Sequence, residues 1–140
     1  MKKYRPTKLF TALHATIYRL TGGRVGGKMG RFNVALLTTH GRKSGKKRML
    51  PIGFFDNPQG YIVVASNGGS VHHPSWYFNL KSNPQATFQV MGKVMPVQAE
   101  ILTGTAREQA WQQIVSSVPM YGEYAKATSR EIPLVLLHPN

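Results

Sequence analysis

Two short apolar runs, Val34–Thr39 and Arg48–Phe55, flank a glycine-containing turn in the stretch VALLTTHGRKSGKKRMLPIGFF. Runs of this length, rich in branched and aromatic residues and separated by a turn, predict paired β-strands. Asn57-Pro58-Gln59-Gly60 is a second turn signal, and Tyr61–Ser66 follows it as a third strand. Ala86–Met91 and Lys93–Leu102 form a further hairpin about Gly92, and Ile132–Leu137 is a last strand. Six or so strands, mostly joined by hairpins, confine the chain to an antiparallel barrel with helices outside it. The fold class is α+β, mainly β, rather than a doubly wound α/β sheet.

The helical segments are fewer. Leu9, Phe10, Leu13, Ile17 and Leu20 recur at helical spacing over residues 7–20, and Gly22-Gly23 ends the pattern. Residues 21–30, TGGRVGGKMG, read as a glycine-rich linker, which divides the chain into an N-terminal helix and linker (1–30) and a barrel (31–140). Pro74 suits the first turn of a helix running to Leu80, stopped by Asn83-Pro84. Thr105 and Glu108 have capping-box spacing ahead of a helix with Ala110, Trp111, Ile114, Val115 and Val118 on its buried stripe. A short helical segment covers Tyr121–Ala127.

Charge narrows the function. The chain carries 18 Lys+Arg against 5 Asp+Glu, a formal net charge of +13. Such a field favours nucleic acid, acidic lipid or a multiply charged small molecule. Five acids scattered along the chain make a two-carboxylate glycosidase or a carboxylate-bridged metal site improbable. The absence of cysteine removes disulfides, thiolate nucleophiles and Cys-based zinc sites, and fits a reducing cytosol. His14, His40, His72, His73 and His138 show no metal-ligand spacing, so no metal is expected. No apolar run approaches the ~20 residues that span a bilayer.

The cations concentrate. Arg42, Lys43, Lys46, Lys47 and Arg48 surround Ser44 and lie beside Gly41 and Gly45. Such a turn is either a solvated hairpin loop or a cradle that offers amides, a hydroxyl and guanidinium groups to a small polyanion. A second glycine-containing loop, Ala65-Ser66-Asn67-Gly68-Gly69, leaves another strand, and the two are expected to face one ligand. Trp76, Tyr77, Asn79 and Leu80 read either as core on one helix face or as a wall against a flat heterocycle. Tyr121 and Tyr124 share a helix face, as core or as the lip of a pocket.

In order, LLTTHGRKSGKKRMLPIGFF, YIVVASNGG, HPSWYFNLKSNPQATFQV and PMYGEYAKATSREIPLVLLHP resemble the deazaflavin-dependent nitroreductase family, from about Asn33 to the C-terminus. The resemblance implies a split β-barrel, similar to the FMN-binding split barrels, that binds coenzyme F420, a flat deazaflavin with a phosphate and an oligoglutamate tail. By that resemblance Arg42, Lys43 and Ser44 hold the phosphate, with Arg48, Met49, Leu50, Pro51, Ile52 and Gly53 along the phosphate and ring. Val64, Ala65, Ser66 and Asn67 meet the ring, and Ser75, Trp76, Tyr77, Phe78 and Asn79 close the other side. Tyr121 lies near the ring and Tyr124 at the substrate opening. Asn67 stands where the family pattern has lysine, and Val118 where it has an aromatic, so the acceptor range is expected to differ.

The activity implied is hydride transfer from reduced F420 to a quinone, a nitroaromatic or another conjugated electrophile. The chemistry belongs to the cofactor, with Tyr121 or Ser66 as a donor to the reduced acceptor. Lys2, Lys3, Arg5 and Lys8 ahead of the first apolar stripe suit either a helix capping the barrel or a peripheral contact with the inner face of the cell membrane. Three alternatives stand beside this reading: an FMN- or haem-binding split barrel, a non-enzymatic F420 carrier, and a basic nucleic-acid-binding module. No helix-turn-helix, zinc-finger or RNP signature supports the last, and no nucleic-acid partner is expected. The sequence leaves the oligomeric state open.

Overall fold

The computed structural model describes residues 28–29 and 32–140. The N-terminal helix expected over residues 7–20, with its membrane role, lies outside these residues, as does most of the linker. Within that linker Lys28–Met29 (β1) instead pairs antiparallel with β2, Lys28 opposite Asn33.

The remaining strands are β2 (Phe32–His40), β3 (Lys47–Asn57), β4 (Gly60–Val64), β5 (Gln85–Val90), β6 (Lys93–Ile101) and β7 (Leu134–Pro139). Their order is β2-β3-β4-β7-β6-β5, and β5 pairs back onto β2 through Leu36↔Gln89, Leu37↔Phe88 and Thr38↔Thr87. All pairings are antiparallel, so β2 to β7 close a six-stranded barrel. Three helices, α1 (Ser75–Ser82), α2 (Gly104–Ser117) and α3 (Met120–Lys126), complete the described chain.

The β3–β4 turn forms as its residues dictate. Asn57 Oδ1 accepts from the Gln59 amide at 2.9 Å, an Asx turn. Gly60 takes φ 153°, and a Cβ there would lie 2.0 Å from the Leu137 carbonyl oxygen, so only glycine lets β7 approach.

Alternation along the strands creates two cores. Inside the barrel, Leu37, Phe54, Val63, Phe88, Val97 and Leu137 pack with Trp76, Tyr77 and Leu80 of α1. Outside, Ile62, Val64, Leu134 and Leu136 are covered by Ile114 and Val118 of α2 and its C-terminal flank, and by Tyr121 of α3.

Three local expectations fail. The capping box is not made: α2 begins at Gly104 with Thr103 as N-cap and no side-chain cap bond. Glu108 instead accepts from Arg107 Nη1 at 2.9 Å. Arg107 is buried and needs anionic partners, and the Ile132 carbonyl takes its Nη2 at 2.7 Å. Pro74 caps α1 rather than opening its first turn. The third strand ends at Val64, two residues short of Ser66, because the chain then turns through a 3-10 segment at Asn67–Gly69.

Candidate functional site

Three chain segments meet at one end of the barrel: the exit of β2, the start of β3 and the exit of β4. β3 pairs with β4 only from Phe55↔Ile62 to Asn57↔Gly60, while it pairs with β2 along its whole first half. Among the described residues β3 therefore runs from Lys47 to Phe54 beyond its ladder with β4, and the barrel wall is split there.

Alternation sorts the residues of this edge. Phe54 belongs to the inner core, with Leu50 and Ile52 packed against it. Met49, Pro51, Gly53 and Phe55 point the other way, and Phe55 joins the outer cluster. Across the split, Val63 and Ala65 face inward while Val64 faces outward. The outward residues of both lips thus share a face with Tyr121, whose ring lies 6.0 Å from Phe55 and 6.1 Å from Tyr124. Of the residues assigned to the cofactor along these lips, Leu50, Ile52 and Ala65 turn into the barrel core.

The basic turn is closed by its own backbone. The Gly41 amide donates to the Lys46 carbonyl at 2.8 Å and the Gly45 amide to the Gly41 carbonyl at 2.7 Å. The Lys46 amide donates to Ser44 Oγ at 3.1 Å. These bonds engage amides expected to cradle an anion, and leave the exposed side chains of Lys43, Lys46, Lys47 and Arg48 as its cationic surface.

Arg42 is held differently. Its amide and Nη1 both donate to Asn79 Oδ1, at 3.2 and 3.1 Å, and Nη1 also reaches the Ser75 carbonyl at 3.4 Å. Both Arg42 groups are obligate donors, which fixes the amide orientation: Nδ2 donates to Thr39 Oγ1 at 3.1 Å. The guanidinium also lies over the Phe78 ring, 5.3 Å from its centroid. Ser75, Phe78 and Asn79 are thus brought to the basic turn, whereas Trp76 and Tyr77 are buried in the barrel core.

The β4 exit loop is equally ordered. Asn67 and Gly68 adopt left-handed conformations, φ 47° and 62°, and Asn67 Nδ2 donates to the His72 carbonyl at 3.0 Å. Gly69 has φ 79°, and a Cβ there would lie 3.3 Å from Tyr124 Cδ1, so α3 rests directly on this loop. Ala65 is spent on structure: it is fully buried and its amide donates to the Pro133 carbonyl at 3.0 Å.

The residue that sequence reasoning missed is Arg130. It donates to the carbonyls of Ser70 (Nε, 2.9 Å), Ala65 (Nη1, 3.2 Å) and Ser66 (Nη2, 2.8 Å), and its Nη1 lies 3.0 Å from His73 Nδ1. The motif Arg130-Glu131-Ile132-Pro133 was the one signal pointing to it. Burial, then the charges of Arg130 and Lys81, hold the His73 pKa below 6.5, so its neutral ring can accept. Burial, then Tyr124, pushes the Tyr121 hydroxyl up to about 12, so it stays protonated and can only donate or accept a hydrogen bond at neutral pH.

The family model for F420H(2)-dependent quinone reductase matches residues 10–139. A curated relative, the F420H(2)-dependent quinone reductase of Mycobacterium tuberculosis (strain H37Rv), is 36% identical over 129 residues, spanning 89% of this chain and 87% of the relative. A solved F420-H2-dependent reductase superposes with a TM-score of 0.69 at 43% identity, covering 75% of this chain and 93% of that one. A structure described as a domain-swapped dimer reaches 0.72 at 39% identity, covering 91% and 96%. The haem storage protein HutZ of Vibrio cholerae, at 17% identity and a TM-score of 0.60 over 76% of this chain and 81% of that one, shares the split-barrel fold alone. The match over residues 10–139 and the identity to the Mycobacterium tuberculosis relative show that the chain belongs to the F420H(2)-dependent quinone reductase family.

Proposed function

We propose that the split between β3 and the β4 exit loop binds coenzyme F420 and that the chain is a reductase passing its hydride to a quinone-like acceptor. The observation that carries the reading is the stretch of β3 that runs beyond its ladder with β4, Lys47–Phe54, cationic at its start and apolar beyond. At roughly 3.3 Å per residue, Lys47 to Gly53 spans about 20 Å, room for a flat ring joined to an anionic tether.

The residues fit that ligand. Gly53 carries no side chain and Pro51 no N–H, so a planar ring can approach Gly53 closely and leaves no donor to satisfy at Pro51. Lys43, Lys46, Lys47 and Arg48 meet the phosphate and carboxylates as mobile cations, while Arg42, fixed on Asn79, is the rigid one. Ser66 and Asn67 form the opposite lip. When bound, F420H2 supplies the hydride, and the protein supplies orientation and a water-poor wall. Tyr121, protonated at neutral pH, donates to an oxygen gaining charge, with Ser66 as the alternative donor. Tyr124, whose hydroxyl donates to Met120 Sδ at 3.2 Å, and the exposed Met120 form an amphipathic rim at the acceptor's entrance.

On this reading the F420-binding unit is the barrel, residues 31–140. The basic segment 1–20 makes the peripheral membrane contact that a lipid-borne quinone calls for; unchanged liposome binding after deletion of 1–20 would remove that part. The deciding experiment titrates the protein with F420, FMN and FAD by fluorescence, then follows single-turnover oxidation of bound F420H2 by a soluble quinone. Uptake of FMN or haem with no affinity for F420 would overturn the assignment, and F420 binding without oxidation would make the chain a carrier.

A further inference from the structure

We propose that Arg130 is a positioning residue for the ring end of the cleft, and that the shape of its guanidinium group, rather than its charge, sets the Ser66–Asn67 lip. The proposal rests on the F420 reading above.

The segment between Val64 and Ser75 has only one 3-10 turn as regular structure, and it contains left-handed backbone at Asn67, Gly68 and Gly69. Such a conformation persists only where its surroundings enforce it. On one side it is seated on Tyr124 at Gly69. On the other, a single side chain from 57 to 65 residues away binds three of its carbonyls and His73 Nδ1. Within the loop itself, two backbone bonds hold the turn: the Gly69 amide to the Ser66 carbonyl at 3.0 Å and the Ser70 amide to the Asn67 carbonyl at 3.1 Å. Two side-chain bonds support it, Asn67 Nδ2 to the His72 carbonyl and the His72 amide to Ser70 Oγ.

The four acceptors around Arg130 lie in different directions, and the planar fork of guanidinium reaches them from one position. An ammonium group offers three donors from one atom and cannot span the same set. His73 adds a second tie: its ring is 4.6 Å from Tyr77, so the guanidinium links the loop to the core side of α1. The three carbonyls it orders belong to Ala65, Ser66 and Ser70, of which Ser66 is one of the two residues proposed to meet the ring and the other two flank the pair.

The test compares wild type, Arg130→Lys and Arg130→Gln, the last as a second variant should the lysine disturb folding. Each is titrated with F420 and with the tail-less deazaflavin that keeps the ring and ribityl chain but lacks phosphate and glutamates. Arg48→Gln serves as the tail-end control. The Arg130 variants should lose about tenfold in affinity for both ligands, a change of about 1.4 kcal/mol, while Arg48→Gln should lose affinity for F420 only. Full affinity in Arg130→Lys, or a loss confined to F420, would overturn the proposal, the latter by making Arg130 an ordinary cation for the tail. Amide exchange of Gly69 and Ser70 in ligand-free protein supplies a readout independent of the cofactor. It should accelerate about tenfold or more in Arg130→Lys with β7 unchanged, and equal acceleration in β7 would reduce Arg130 to a general stability role. If wild type binds neither deazaflavin, the F420 reading fails, and with it the ring assignment. The exchange arm still decides whether the fork holds the loop.

Discussion

Replacing Asn79 should separate the two functions its amide performs. The side chain is buried, accepts twice from Arg42 and donates once to Thr39, itself fully buried. Asn79→Ala removes all three bonds and leaves the Thr39 hydroxyl and the Arg42 amide to find other partners. With about 1 kcal/mol for each of the two neutral bonds and about 1 kcal/mol for the charge-assisted one, discounted because Arg42 is exposed, the loss is about 2–3 kcal/mol. For a domain of this size that lowers Tm by about 8–12 °C. Asn79→Asp keeps the acceptor for Arg42, and the Thr39 hydroxyl can turn to donate, so it should cost less than alanine. The new carboxylate nevertheless neutralises Arg42, and about 1 kcal/mol of lost attraction weakens F420 binding about fivefold. Thermal melts with urea unfolding read the first effect and fluorescence titration the second. An Asn79→Ala/Arg42→Ala double-mutant cycle should give a coupling of about 0.5–1.5 kcal/mol. Additivity within about 0.3 kcal/mol, or an alanine variant melting with wild type, would refute the claim that Asn79 anchors the basic turn.

Three further predictions follow from particular groups. His73 is held below 6.5 in the folded protein, so between that value and its lower folded pKa the unfolded chain binds more protons and stability rises with pH. Acidification through this window should lower Tm less in His73→Gln than in wild type, and equal slopes would show that the Arg130 contact does not depend on a neutral ring. Tyr121 contributes stability that is present below pH 10.0 and is lost as pH rises towards about 12. Tyr121→Phe should therefore leave the tyrosinate absorbance at pH 10.0 nearly unchanged, and a fall of half a tyrosine would contradict its burial. Met91 carries φ 54° in the β5–β6 turn, although Gly92 is beside it. Met91→Asn should raise stability by about 0.5–1 kcal/mol, read from urea midpoints, and a lower midpoint would mean that the methionine side chain matters more than its backbone strain.

The barrel was legible because its signals are local. Val34–Thr39, the Asn57–Gly60 turn and the hairpin about Gly92 each announce themselves within a dozen residues. Its closure was not, since the pairing of β5 with β2 joins residues about fifty positions apart and depends on which strand edges remain. The same division holds at the site. Charge density marked the basic turn, yet the turn's hydrogen bonds consume amides that the sequence offered to a ligand. Leu50 and Ile52 could be told from Met49, Pro51 and Gly53 by alternation only once Phe54 was known to face the core. The capping box failed because the buried Arg107 competes for Glu108, and burial of an arginine is a tertiary fact. Arg130, one of 18 basic residues in the chain, was marked only by the Arg130-Glu131-Ile132-Pro133 motif, which does not say which carbonyls it would reach.

A strand that runs beyond its ladder with a neighbour usually invites another strand, so the persistence of this split requires an explanation. The β2 ladder runs unbroken through Pro51, opposite Leu36, so the missing N–H falls on the open edge. An incoming strand would find no donor at that position and would have to bury Lys47 and Arg48 beside its own backbone, at a desolvation cost that an uncharged peptide cannot offset. A polyanion meets the opposite balance. The cations that repel a strand attract phosphate and carboxylate, and the proline and glycine that weaken a ladder leave a smooth surface for a ring. The residues that keep the barrel from closing are therefore the ones that suit it to an anionic flat cofactor. Replacing Pro51 with valine should restore a complete edge, promote association through it and weaken F420 binding together. Sedimentation and cofactor titration on the one variant check this, and stronger association with unchanged F420 affinity would show that strand and cofactor do not compete for the same edge.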